Sequence, residues 1–371
     1  MSNKLNFFVY FYNDSNIGDD LFLDLLVRRY PHFNFHIHDD KRSPTLNQSF
    51  HSYKNLFFAE VNLSNKTLKS EIYKYDGVIV IGGSVFQDSS YMYYRGHIGR
   101  YLVFKQLIKT GKKVFVLGAN LGPFNTAFGK VIFKATLKHV TNICVRDSYS
   151  FGLLQEWGIS KKCVAPDIIF GYDFQHMLKP DNKKNALGIS ILNTKLNPDI
   201  KPIYIRKMAE LSNLYLSHSK DSTVRLFGFD GGRENDGEVI DEVMKLIKFS
   251  DRVVKMVYNK NTNIVSFLRL LIECRYIIAC RFHSMVLAAK YGIPFYPIVY
   301  SEKTSNVLDD VGYDLGRIKY SKINDLNVVK LFEDIVNINY SFSLSTSICD
   351  DSKKHFASLD LVNSHQHGDV G

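Results

Sequence analysis

The sequence predicts an α/β protein of two doubly wound, Rossmann-like domains, and three observations predict it. Short β-branched or aromatic runs alternate with helix-length amphipathic segments, which is the pattern of parallel strands joined by crossover helices. A polar stretch over 179–185 interrupts the alternation once, near the middle, after which it restarts. The length, 371 residues, corresponds to roughly two or three domains at ~150 residues each. The expected division is 1–180, 186–340 and a C-terminal tail over 341–371. Two such domains are expected to face a cleft at the carboxyl ends of their strands, where ligands of this architecture bind.

In the first half, strands are expected over 7–12, 33–38, 77–81, 113–117, 142–145 and 162–165. Helices are expected over 20–30, 97–110, 126–139 and 148–157. Gly111 and Gly158 stand just past two of these helices, where a left-handed closing residue belongs. In the second half, strands are expected over 186–192, 223–227, 252–257, 275–280 and 295–299, with helices over 200–218, 262–273 and 284–291. The stretch from Tyr340 onward is weakly periodic and its end reads as a surface tail. No repeat of fixed period interrupts the chain.

Composition narrows the class. Hydrophobic residues make up 45% and charged residues 23%, which excludes a disordered or fibrous chain. No run approaches the ~18 apolar residues of a membrane helix, and residues 5–12 read as a first strand rather than a secretory signal. The five cysteines are odd in number and form no Cys-x-x-Cys pair, so free thiols in a reducing compartment are expected, without a zinc framework. The net charge of +10 admits nucleic acid, a membrane surface or anionic small substrates. The cations are scattered rather than clustered, which weakens the nucleic-acid reading.

Five segments carry candidate chemistry. Asn16-Ile17-Gly18-Asp19-Asp20 follows the first strand and opens a helix; exposed helix N–H groups there suit an anion or a hydroxyl-rich ligand, and a capping aspartate is the structural alternative. Gly82-Gly83-Ser84 is a glycine-rich loop without the Gly-Lys-Ser/Thr of a P-loop. Gly118-Ala119-Asn120-Leu121-Gly122-Pro123-Phe124 ends another strand. Arg146-Asp147-Ser148 places a cation where a strand gives way to a helix, either to meet an anion or to pair with a neighbouring acid. Arg281-Phe282-His283-Ser284 is the sharpest. Its guanidinium can grip a carboxylate bidentately, and its imidazole titrates near neutrality. Lys303 follows the next strand toward the same edge, to neutralise a phosphate or to lie solvated. His36 and His38 share a strand face and suggest no metal without further ligands, and His365 and His367 fall in the tail.

In this order the segments resemble the polysaccharide pyruvyl transferase family. The matching residues are Asn16-Ile17-Gly18-Asp19, Asp76 through Ser84, Gly118 through Phe124, Val145-Arg146-Asp147-Ser148, Pro166-Asp167, and Arg281-Phe282-His283-Ser284 through Pro294. The resemblance covers residues 5–315, and the stretch after Tyr340 departs from it. The family is similar in fold to two-domain glycosyltransferases of the B type. Its members transfer pyruvate from phosphoenolpyruvate to paired glycan hydroxyls as a ketal, in cell-surface polysaccharide biosynthesis. Its Arg-x-His element corresponds to Arg281 and His283, and Gly228-Phe229-Asp230 with Asp236 looks like its acidic loop.

The resemblance implies a donor site from Arg281 (carboxylate), Lys303 or Arg146 (phosphate) and Ser284, with His283 and Arg281 catalytic. It implies an acceptor site from Asn16, Gly18, Asp19, Gly83, Ser84, Asn120 and Gly122. The partners implied are phosphoenolpyruvate and an oligosaccharide or lipid-linked glycan, with no metal, no cofactor and no nucleic acid. The location implied is the cytoplasm, with room for peripheral contact with the inner face of the membrane. Two rivals share the residues: a nucleotide-sugar-dependent glycosyltransferase of the same fold, and a non-enzymatic binder of anionic glycan.

Overall fold

The protein is described by a computed structural model over residues 4–38, 46–59, 71–88, 94–172, 184–193, 198–337 and 344–367. Residues 179–183 of the expected linker lie outside these, as do Asp39 and Asp40. The chain divides into two compact units. Unit 1 is Met1–Asn13, Asp19–Gly171 and Ser347–Gly371; unit 2 is Asp14–Gly18 and Tyr172–Thr346.

Unit 1 runs β1 (Asn6–Tyr10), α1 (Ile17–Arg29, within this unit from Asp19), β2 (Asn34–His38), β3 (Leu56–Ala59), β4 (Gly77–Ile81) and β5 (Phe86–Asp88). It continues with α2 (Tyr94–Lys109), β6 (Lys113–Ala119), β7 (Leu121–Phe124), α3 (Ala127–Leu137), β8 (Asn142–Val145), α4 (Ser148–Glu156) and β9 (Lys162–Val164). Its main sheet has the order β3-β2-β1-β4-β6-β8-β9, with every neighbouring pair parallel. All five residues of β4 are buried, as expected of a central strand covered by helices on both faces. The order reverses at β1, so the loops after β1 and β4 flank the switch point where such sheets open a crevice.

Unit 2 repeats the plan with β10 (Ala186–Ile191), α5 (Lys201–His218), β11 (Thr223–Gly228), α6 (Asp236–Met244), β12 (Val253–Val257) and α7 (Ile264–Ile272). Then come β13 (Tyr276–Ala279), α8 (Phe282–Lys290), β14 (Phe295–Val299), α9 (Glu302–Asp310), β15 (Ile318–Lys319) and α10 (Val328–Val336). The sheet order is β12-β11-β10-β13-β14-β15, parallel throughout. Its switch point lies between β10 and β13, so the turn after β13, which holds Arg281, is the favoured edge. The core packs Leu187, Ile189, Leu226, Ile278 and their neighbours beneath α5 and α6.

Two expectations are corrected. The stretch expected as a surface tail over 341–371 contains α11 (Thr346–Ser352), a helical turn (Lys353–Phe356) and α12 (Ala357–His367), and from Ser347 it belongs to unit 1. Its few apolar residues hid it, because His355 and Ser352 take buried positions beside Phe356 and Leu359. The expected set of free thiols is also wrong for one pair. Cys144 and Cys163 lie side by side in the register of β8 and β9 and form a disulfide, while Cys274, Cys280 and Cys349 remain thiols.

Among the described residues no helix is long and apolar enough to cross a membrane, and no group of three His, Cys, Asp or Glu is placed to hold a metal ion. His36 is instead spent on Asn6 and on the Phe57 ring.

Candidate active site

The structure gathers the motif residues into two clusters, one in each unit. In unit 2 the centre is Asp236, the first residue of α6. Its carboxylate accepts backbone N–H bonds from Asn193 (2.9 Å), Phe229 (3.0 Å) and Asp230 (3.0 Å). It thereby ties the ends of β10 and β11 to the start of α6. Arg281 completes the hub: Nε donates to Asp236 Oδ2 at 3.0 Å, Nη2 to Asp236 Oδ1, and Nη1 to Glu234. Asp236 is fully buried, whereas the Glu234 side chain is 47% exposed.

Arg281 is thus engaged within the protein. The bidentate grip anticipated for a donor carboxylate is already given to an internal one. Burial opposes the guanidinium charge, but the Asp236 and Glu234 carboxylates more than offset it and hold Arg281 protonated. A buried arginine without such partners would be prohibitively costly. Ser284 is likewise turned inward. Its hydroxyl donates to the Arg281 carbonyl (2.6 Å) and meets Ser190 Oγ (2.7 Å), which in turn accepts the Cys280 and Arg281 N–H groups.

The loop Asp14–Gly18, assigned from sequence to the first domain, is part of unit 2. Ile17 N–H donates to the Phe229 carbonyl (3.1 Å) and Gly231 N–H to Ser15 (3.2 Å). Asn16 Nδ2 reaches Asp230 at 3.4 Å while its Oδ1 accepts Gly18 N–H at 3.0 Å. Gly18 then abuts His283: a Cβ built on Gly18 would lie 1.7 Å from His283 Nδ1. Only glycine leaves room for the imidazole, the second residue of α8, at this point. Asp230, 1% exposed, closes the cluster. Burial pushes its carboxyl up to about 6 against the pull of Arg281, and Asp236 and Glu234 add to the rise. Lys303 stands half-buried in the first turn of α9.

Unit 1 holds the other cluster. Arg146, at the end of β8, donates Nη1 to Asp167 (2.8 Å) and Nη2 to Asn120 (2.8 Å), with both ion-pair side chains nearly inaccessible. Of the two roles open to Arg146, the structure displays the internal pairing. Ser84 Oγ meets the same Asn120 oxygen at 3.5 Å, and Asn120 Nδ2 reaches the Gly122 carbonyl at 3.4 Å. Gly83 must lack a side chain, since a Cβ there would lie 2.3 Å from Arg146 Nη2. A Cβ on Gly82 (φ +103°) would lie 3.0 Å from Asp19 Oδ1. The Gly122–Pro123 peptide is cis. Asp147 caps α4 through Ser150 N–H at 2.7 Å.

The arrangement of unit 2 suits proton transfer: an imidazole and a carboxyl that burial raises to about 6 stand on either side of the Asn16–Gly18 loop, over a compensated arginine. Sequence reasoning gave Asp230 and Asp236 only through the resemblance and missed Glu234, for which a lone acid in a Gly-rich loop offers no signal.

The comparisons with known proteins agree with this fold. The M. jannaschii UDP-GlcNAc 2-epimerase solved with UDP-GlcNAc and UDP is 12% identical, with a TM-score of 0.61 over 97% of this chain and 100% of that one. The Anabaena protein HepE, solved with UDP and glucose, is 10% identical at TM-score 0.59 over 99% and 100%. Sucrose-phosphate synthase from Thermosynechococcus elongatus is 9% identical at TM-score 0.52 over 99% of each chain. At these identities the likeness shows the fold, the parallel-sheet α/β architecture of B-type glycosyltransferases. No curated protein matches the sequence. The profile of the family described as polysaccharide pyruvyl transferase matches residues 16–302, which span both clusters, and the chain therefore belongs to the polysaccharide pyruvyl transferase family.

Proposed function

We propose that the protein moves pyruvate from phosphoenolpyruvate onto two hydroxyls of a glycan as a ketal, in the building of a cell-surface polysaccharide. The observation that carries this reading is the packing of His283 on Gly18, which joins motifs 265 residues apart beside Asp230. Ketal formation adds both hydroxyl oxygens to C2 of the enolpyruvyl group. One hydroxyl proton ends on the methylene carbon, making it methyl, and the other leaves with the phosphate. His283 is the group that carries a proton between hydroxyl and carbon, and Asp230 holds a second one close by.

Arg281 serves the donor through its exchangeable contact. Glu234 is half exposed while Asp236 is sealed in, so a donor carboxylate takes the place of Glu234 on Nη1 and the Asp236 fork stays intact. Lys303 is read as the phosphate-side cation. Asp19, Gly83, Ser84, Asn120 and Gly122 form an acceptor-rich site suited to sugar hydroxyls, with Arg146 holding Asn120 in place. The reaction takes place in the cytoplasm, on an oligosaccharide or lipid-linked acceptor at the inner face of the membrane, and needs no cofactor beyond the donor.

Incubation with phosphoenolpyruvate and a panel of soluble and lipid-linked oligosaccharides tests this. Phosphate release matched one-for-one by a pyruvate ketal on the glycan is expected. The nucleotide-sugar enzymes among the structural neighbours supply the contrary arm: transfer of a sugar from a UDP-sugar, with none from phosphoenolpyruvate, would overturn it.

A further inference from the structure

The buried ion pair of unit 1 leads away from the matched region of the chain. Asp167 gives one oxygen to Arg146 (2.8 Å) and the other to Ile169 N–H (3.0 Å), capping the helical turn Ile168–Gly171. That turn is wedged against the end of β6, since a Cβ on Gly118 would lie 2.5 Å from Ile168 Cδ1. It is gripped from outside at both ends. His355, 0% exposed, meets the Pro166 carbonyl with Nε2 at 2.8 Å. At the other end, a Cβ on Gly171 would lie 2.4 Å from Ser352 Oγ. Both gripping residues belong to the C-terminal segment, whose turn Lys353–Phe356 packs on β6, β8 and β9.

The segment is anchored at its far end. Asp360 accepts from the Tyr30 hydroxyl (2.7 Å) and from Arg29 Nη2 (2.8 Å), and Phe356 lies against the Tyr30 and Arg29 side chains. A carbonyl oxygen only accepts, so His355 must carry its proton on Nε2. Burial keeps the ring neutral by pulling it down to about 4, although the Pro166 carbonyl and Asp167 pull it up.

We propose that His355 is a positioning residue for the site of unit 1: by holding Pro166 it fixes Asp167, which aims Arg146 at Asn120, which sets the Ser84 and Gly122 loops. The relay His355–Pro166–Asp167–Arg146–Asn120 extends the site to a segment beyond residues 16–302, the span of the family profile. It deepens the proposed function, resting on the reading that these loops take the acceptor glycan.

His355→Phe keeps the ring and removes the N–H; His355→Gln restores a donor. Two readouts separate the claims. Hydrogen exchange follows the amides of Asn120 and Arg146, which donate to Gly83 and Ala119 carbonyls, with Ile277 of unit 2 as a control. In His355→Phe the two amides are expected to exchange roughly tenfold faster or more, with Ile277 unchanged, and His355→Gln returns them toward wild type. Acceptor KM is expected to rise by a similar factor in His355→Phe, with donor KM unchanged. Unchanged exchange at Asn120 and Arg146 overturns the relay whatever the activity. Faster exchange with an unmoved acceptor KM leaves the relay standing and refutes the acceptor reading beneath it. Should His355→Phe fail to fold, Asp360→Asn loosens the same segment from Tyr30 and Arg29. Faster exchange at the two amides supports the relay there, and unchanged exchange overturns it.

Discussion

Gly18 and His283 show how one missing side chain makes room for a ring. The imidazole occupies the volume that a Cβ on Gly18 would need, so Gly18→Ala must push the ring aside. Overpacking of this kind costs ~1–3 kcal/mol, and a displaced base costs ~10²–10⁴-fold in rate. A folded Gly18→Ala enzyme with wild-type kcat would separate His283 from the chemistry. Asp230 offers a test in pH. Its carboxyl ordinarily titrates at 3.8 and in the fold at about 6, so the unfolded chain loses the proton first. Stability is thus full below pH 3.8 and falls as pH rises through 6, by up to about 3 kcal/mol. Asp230→Asn should therefore melt higher than wild type at pH 8, with the gain gone near pH 4. Equal melting at both pH values would show a carboxyl at its ordinary value. Glu234 tests the donor contact: if a substrate carboxylate replaces it on Arg281, Glu234→Ala removes a competitor. Donor KM should then fall several-fold, and a rise would make Glu234 part of the donor site itself.

Among elements, the ends of β10, β11 and β13 and the start of α6 converge on the Asp236 carboxylate. Breaking a buried ion pair from one side leaves an uncompensated charge, at ~3–5 kcal/mol. Asp236→Ala should lower the unfolding free energy, read from denaturant melts, by that amount, whereas Glu234→Ala, acting on the half-exposed partner, should leave it within ~1 kcal/mol. Comparable losses in both variants would mean that the two contacts share the load. Strands were legible because apolar β-branched runs have a length and period of their own: the expected bounds 77–81, 142–145 and 295–299 coincide with β4, β8 and β14. α6 was not anticipated, although it buries Val239, Ile240 and Val243. Its first turn carries Asp236 and Glu238 behind a Gly-rich loop, and the short apolar stripe that follows is easily read as part of that loop. The C-terminal helices were illegible for a different reason. Burial there falls on Ser352, which bonds the Cys349 carbonyl within its own helix, and on His355, whose partner Pro166 lies far back along the chain.

For the molecule as a whole, ligand linkage gives the cleanest measurement. A ligand bound to the native state at about a hundred times its Kd adds ~2.7 kcal/mol, several degrees in Tm at this size. Phosphoenolpyruvate should raise Tm and UDP-GlcNAc should not; the reverse pattern would favour the nucleotide-sugar reading. By itself the sequence determined the class: alternating strands and helices, two parallel sheets, and the ordered motifs of the family, all of which are written in local pattern and spacing. Tertiary structure alone decided the partnerships. It gave Arg281 an internal carboxylate and brought Asn16 and Gly18 to unit 2 beside His283. It set Cys144 against Cys163 and laid His355 behind Asp167. Each of these joins residues that strand register or chain return brings together, and a buried charge or polar group is defined by what surrounds it, not by its neighbours in sequence.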